Sequence, residues 1–261
     1  MDREVITPLL PSVRFDFSDI HRSFHVPLSV LMSLFLEFYE TQEFPMVPVT
    51  FDKGDTVLEA GAGIGFISTI LGVCAGKVVS LEAIPEYFEM AGANLAMNAI
   101  ENVTLISGAL GVGEGEVTFQ RRMIPYASSF MDEAWAHDIV ESEITVAQFD
   151  INDLIREHGI NALHLDLEGG EVMVLPAVDF GPINKVIMEF HPRVVGQAAC
   201  QEIMDLFLRN GLEAALIGGP RNYPTHSYTA AFAREPFASE IRRKPMMGDT
   251  APAAFARMES A

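Results

Sequence analysis

A chain of 261 residues, 49% of them apolar, can bury a full core, and nothing in it requires a second large domain. The formal net charge of −19, from 36 acidic against 17 basic residues, repels a nucleic-acid backbone and an anionic membrane surface alike, so neither is expected as a partner. The opening "MDREVITPLLPSV" lacks a basic region followed by an apolar one, and Cys74 and Cys200 stand far apart without metal-type spacing; the expectation is a cytoplasmic protein.

Residues 1–50 read as an N-terminal helical cap, in which "VPLSVLMSLFLEFYE" is an amphipathic or buried helix over the sheet's ligand edge. A core over 51–235 follows, where apolar strand-type runs alternate with helical patterns, as in a mainly parallel sheet covered on both faces. "TVLEA" predicts a buried strand, "FISTILGVCAG" a helix closed by Gly76, and "KVVSLEA" a second strand. "PEYFEMAGANLAMNAI" predicts a helix with Pro85 in its first turn, "NVTLISGAL" a third strand, and "GEGEVTFQRR" a short hairpin turning on glycine. Met123 to Glu143 lacks clean periodicity and reads as a lid or binding loop, with Tyr126 and Trp135 as candidate acceptor contacts beside Arg121 and Arg122.

Beyond it, "ITVAQFDINDLIREHG" predicts a strand and a helix, "ALHLDLEGGE" the fourth core strand and "NKVIMEFHP" the fifth. "QAACQEIMDLFLRNG" is a helix stopped by Gly211. "LEAALIG" and "SYTAAFARE" are closing strands, joined by the loop "GPRNYPTH" with Tyr223. Residues 236–261 read as a flexible tail or oligomer arm, which leaves a homodimer open.

The stretch "VLEAGAGIGFIS" asks what its glycines hold. A dinucleotide fingerprint G-x-G-x-x-G would need glycine at position 66, which is Phe66, and a phosphate loop would need a lysine that is missing. What fits is E-x-G-x-G-x-G: Gly61, Gly63 and Gly65 let backbone approach a ligand, Glu59 can face a cationic group, and Glu82 at the next strand's tip can accept both hydroxyls of a ribose. A cation plus an unphosphorylated ribose describes S-adenosylmethionine better than a phosphate-bearing cofactor. The structural alternative for Glu82 is to cap the helix begun at Pro85.

With these residues the chain resembles class I S-adenosylmethionine-dependent methyltransferases and, more narrowly, the FkbM-type family. The narrow match rests on "QFDINDLIREHGINALHLDLEGGEVMVLPAVDF", "SGALG" after the third strand and "MEFHP" after the fifth. The resemblance implies an α/β, Rossmann-like, doubly wound seven-stranded sheet, mostly parallel with an antiparallel last strand. It implies S-adenosyl-L-methionine as cofactor, with Glu59, Gly61, Gly63 and Gly65 around the methionine part. Glu82 and the adjoining Ala83 would hold the ribose, and Ala109 and Leu110 the adenine edge.

Methyl transfer to oxygen requires alignment, exclusion of water and removal of a proton. Asp166 and Glu168 alternate to one side of the fourth strand's end, and acids there are costly unless paired or used. His191, after the fifth strand, is a natural proton acceptor that Glu189 could orient. Asp166, Glu168 and His191 are therefore the candidate catalytic residues, while Glu171 reads equally well as an acid at a helix start and His164 as a satisfied core residue. The same three would also be acceptable cation ligands, but no spacing singles a set out, so no metal is expected. The reading is a methyltransferase acting on a small molecule, a sugar or natural-product hydroxyl by the resemblance. Its alternatives are a nicotinamide-dependent oxidoreductase and a non-catalytic cofactor-binding protein.

Overall fold

In the computed structural model, residues 43–122, 140–218, 227–244 and 255–257 are described. The helix expected over 26–40, Tyr126, Trp135 and the loop bearing Tyr223 lie outside them. After the short helix α1 (Val47–Thr50), β1 (Thr56–Ala60) has four of its five residues buried. It runs inside the sheet with both faces covered, which favours a near-continuous apolar run, and Glu59 is its one buried charged residue. The helix α2 (Phe66–Cys74) leads to β2 (Lys77–Glu82), and α3 (Pro85–Met97) leads to β3 (Val103–Ser107).

The expected single run "NVTLISGAL" breaks at Gly108, after which β4 (Ala109–Gly111) leaves the main sheet. A side chain at Gly108 would press on the Phe149 ring at 2.6 Å and the Ala147 carbonyl at 2.7 Å, so the break depends on glycine. Nor does the segment after it form a hairpin on itself. Strand β5 (Gly115–Arg122) pairs antiparallel with β6 (Val140–Asp150), whose other edge takes β4 in parallel, giving a three-stranded side sheet. A pairing partner some twenty residues away leaves no local signature.

Asp150 starts α4 (Ile151–His158) by accepting from the Asn152 and Asp153 amides, and Gly159 ends it in the left-handed region. The chain continues through β7 (Ala162–Leu165), the short α5 (Glu171–Val174), β8 (Lys185–Phe190) and α6 (Pro192–Val195). It then runs through α7 (Gln197–Arg209), β9 (Glu213–Gly218) and β10 (Tyr228–Ala233). The stretch expected as a tail contains α8 (Phe237–Arg243) and β11 (Phe255–Arg257).

The main sheet runs β11-β9-β10-β8-β7-β1-β2-β3. Pairs from β8 through β7, β1 and β2 to β3 are parallel, and β10 is inserted antiparallel between β8 and β9. These seven strands are the expected doubly wound arrangement, and β11 adds an eighth, short edge strand. Alternation divides the core into two layers. Leu58, Leu81, Leu163 and Met188 meet α4 and α7, while Val57, Val78, Ala162 and Ile187 meet α2 and α8.

At the sheet edge where β8 begins, Lys185 is 2% exposed, and its Nζ donates to Asp52 and Asp55 at 2.8 Å each while lying 4.8 Å above the Phe237 ring. One buried ammonium thus ties the turn before β1 to β8 and α8. Removing one partner of such a group leaves the other charge uncompensated, so Lys185→Ala should lower the unfolding free energy by about 3 kcal/mol in urea titrations.

Candidate functional site

From β1 the sheet grows in both directions, toward β2 and β3 on one side and toward β7 and β8 on the other. The loops leaving the carboxyl ends of β1 and β7 therefore diverge and open a crevice between them. Gly61, Gly63 and Gly65 take φ values of 91°, 54° and 81°, the left-handed region that L side chains rarely enter. Gly61 has a further constraint, because a Cβ there would collide with the Asp166 carbonyl oxygen. Gly65 begins α2, and a Cβ on it would lie 2.8 Å from Ala91 Cα in α3. The close packing that a glycine at 66 provides in dinucleotide sites is thus supplied one residue earlier.

Glu59 is fully buried on the α2 side, level in register with Ser80 of β2 and His164 of β7. Its Oε2 accepts from Ser68 Oγ at 2.6 Å and from Ser80 Oγ, while Oε1 has no hydrogen-bond partner among the described residues. Burial pushes its pKa up to about 7, against the two serine hydrogen bonds. Neither serine is singled out by the sequence, because both reach Glu59 through parallel packing rather than through spacing. Glu82 is 6% exposed, and its carboxylate bonds at the start of the next helix, the structural alternative to ribose binding. Its Oε1 accepts from the Ile84 amide at 2.7 Å, at the start of α3, and its Oε2 accepts from the Gly63 amide at 2.6 Å. One carboxylate joins the glycine loop to the next helix, and burial raises its pKa to about 7. Ala83 is buried beside it; Ala109 is buried in β4, and the Leu110 side chain is packed in the core with Ile106 and Phe149.

Across the crevice the structure gathers all three residues expected on the acceptor side, and two more. His191 Nε2 lies 3.3 Å from Glu168 Oε2, 3.7 Å from Asp166 Oδ1 and 3.8 Å from Glu189 Oε2. Its Nδ1 lies 3.9 Å from Glu171 Oε1. Strand alternation does not produce this, since β7 ends at Leu165 and the loop turns through a left-handed Glu168, φ 51°, and Gly169, φ 99°. A non-glycine residue in that region is strained and is held there by its surroundings. Glu171, 2% exposed, accepts from the Leu167 amide at 2.7 Å and closes the turn, so it has both the helix-start role and a place beside His191. Burial raises its pKa. Burial alone would lower that of His191, but Glu168, Glu189 and Glu171 together overcome it and raise the imidazole above its usual value. Asp166, Glu189 and His191 each offer one ligand atom, all within 4.8 Å of one another.

His164 is buried as expected but not satisfied. Neither ring nitrogen has a hydrogen-bond partner among the described residues, Nε2 stands 3.5 Å from Glu43 Oε2, and burial pushes its pKa down to about 3. No helix among the described residues is long and apolar enough to cross a membrane.

Comparison with known proteins places this site inside a family match, since the family described as "Methyltransferase FkbM domain" matches residues 59–213. A protein-L-isoaspartate O-methyltransferase of Methanospirillum hungatei is 31% identical over 110 residues, 40% of this chain and 50% of the relative. One from Archaeoglobus fulgidus is 39% identical over 77 residues, 28% of this chain and 33% of the relative. The chain thus spans half or less of the length of these curated relatives. Among solved structures, an rRNA methylase from Streptococcus thermophilus superimposes with a TM-score of 0.44 at 14% identity, covering 73% of this chain and 93% of that one.

The buried Glu59 makes stability depend on pH. Its folded pKa, about 7, lies above the unfolded value of 4.5, so the native state holds an extra proton between these limits and the group's contribution is lost as pH rises through them. His164 acts in the opposite sense between about 3 and 6.5, so the effect is best read as a difference between proteins. Relative to wild type, Glu59→Gln should gain up to about 3 kcal/mol in urea unfolding between pH 4.5 and 8.

Proposed function

We propose that this chain, which belongs to the FkbM methyltransferase family, transfers a methyl group from S-adenosylmethionine to a hydroxyl of a small acceptor, a sugar or natural-product scaffold. One juxtaposition carries the reading: a glycine loop flanked by two buried acids faces a histidine ringed by carboxylates at the carboxyl ends of adjacent parallel strands. The loop residues fit the cofactor. Gly61, Gly63 and Gly65 present backbone without side chains, and the Glu82 carboxylate, already held by the Gly63 and Ile84 amides, is the charged acceptor at the strand tip for a ribose hydroxyl. Glu59 Oε1 is a buried acceptor that a cationic group would satisfy. Ala83 and Ala109 offer small buried surfaces for the nucleoside, whereas Leu110 can contribute only backbone.

S-adenosylmethionine supplies an electrophilic methyl, whose bond to sulfur breaks with its electron pair passing to sulfur as the acceptor oxygen forms the new C–O bond. The chain's residues align the acceptor, exclude water and take the proton. Asp166 orients the acceptor hydroxyl, and its proton passes to the Glu168–His191 pair, 3.3 Å apart. A site lined with carboxylates suits a hydroxyl better than an acceptor that is itself anionic, and the charge of −19 weighs against a nucleic-acid acceptor.

Calorimetric titration should give micromolar binding of S-adenosylmethionine and of its demethylated product, and none of NAD; binding of NAD alone would overturn the reading. Glu82→Gln should weaken both ligands about tenfold or more by removing a charged acceptor. Asp166→Asn should change their affinity less than about threefold while lowering turnover about a hundredfold.

A further inference from the structure

Three carboxylate oxygens converge on one nitrogen at distances that hydrogen bonding does not explain. The approaches to His191 Nε2, at 3.3, 3.7 and 3.8 Å, all exceed the range of about 2.7–3.2 Å for an N–H···O bond. The nitrogen has at most one proton to give, so it could satisfy only one of the three. His191 is nonetheless 5% exposed, and Nδ1 has no hydrogen-bond partner among the described residues. Ligand atoms each about 2.1 Å from one cation lie roughly 3–4 Å apart, which is the separation of His191 Nε2 from Asp166 Oδ1 and Glu189 Oε2, and the three atoms lie within 4.8 Å of one another, close enough to draw in around one ion.

We propose that Asp166 Oδ1, Glu189 Oε2 and His191 Nε2 hold a first-row divalent cation, Mn²⁺ in type, with its remaining positions open to the crevice. Two carboxylates with one imidazole form a mixed oxygen and nitrogen set, which favours such an ion over a thiolate-seeking one. The Asp166 and Glu189 side chains are 21% and 18% exposed and that of His191 4%, so the imidazole forms the floor and the carboxylates the rim. The ion's role rests on the methyl-transfer reading: bound to the acceptor oxygen, it lowers the hydroxyl pKa. A ligated Nε2 has no lone pair for a proton, which leaves Glu168 to take it.

The test uses the full chain, stripped of metal by a chelator and titrated with MnCl₂, with free Mn²⁺ followed by electron paramagnetic resonance. One saturable site per chain is expected, weakened at least tenfold in Asp166→Asn and in Glu189→Gln and unchanged in Asp153→Asn, an exposed acid paired with Arg156. Pulsed spectra of the bound ion should show imidazole nitrogen coupling that His191→Asn abolishes. Absence of a saturable site in wild type overturns the proposal however the variants fold, as does a site without nitrogen coupling. Parallel calorimetry with S-adenosylmethionine separates the two readings. Cofactor binding without a Mn²⁺ site removes the ion alone, whereas a Mn²⁺ site without cofactor binding supports the ion and removes the methyltransferase.

Discussion

The carbonyl oxygen of Asp166 fills the space in which any residue but glycine at 61 would carry a side chain. That contact joins the two halves of the site. The Gly61 side of it begins the loop proposed to hold the cofactor, and the Asp166 side begins the turn that brings Glu168 and Glu171 to His191. It follows from β1 and β7 being parallel neighbours whose registers end together, Ala60 opposite Leu165, with the Asp166 amide donating to the Ala60 carbonyl at 3.0 Å. A larger residue at 61 would force the strands' ends apart, and the crevice would lose its shape before it lost any single functional group.

Charge is distributed along the strands in a consistent way. At the edge where β8 begins, a buried lysine is matched by two aspartates, a local arrangement that holds loop, strand and helix together. At the opposite edge acids accumulate: Glu59 and Glu82 beneath the glycine loop, and Asp166, Glu168, Glu171 and Glu189 around His191. Burying carboxylates is unfavourable unless hydrogen bonds or cations offset the loss of water. Glu82 is offset by backbone amides, Glu59 by two hydroxyls and Glu171 by the Leu167 amide, while Asp166, Glu168, Glu171 and Glu189 all gather on one imidazole. That concentration of acids sits where a sulfonium-bearing cofactor and an ion would both be attracted.

Much of this could be read along the chain. Short apolar runs such as "TVLEA" and "KVVSLEA", bounded by turn residues and rich in β-branched side chains, read as buried strands of a layered α/β fold, and E-x-G-x-G-x-G announces a turn that only glycine backbone can make. Asp166, Glu168 and His191 were legible as acids and a base at strand ends, where burial makes an idle charge costly. Ser68 and Ser80 were not, because their link to Glu59 runs across strands and layers. The place of Gly108 as a strand break and the pairing of β5 with β6 were equally hidden, since each depends on a partner distant in sequence.

Local chemistry determined the elements, their alternation and the residue types available for binding and proton transfer, because periodicity, glycine and charge act within a few residues. Only the tertiary structure decided that Glu82 spans the loop and the helix, that Glu171 and Glu189 join the three expected residues, and that Glu168 leaves strand alternation to reach His191. The physical reason is that these are matters of register and close approach between strands, where a few ångströms separate a hydrogen bond from an ion site, and no local pattern encodes such distances.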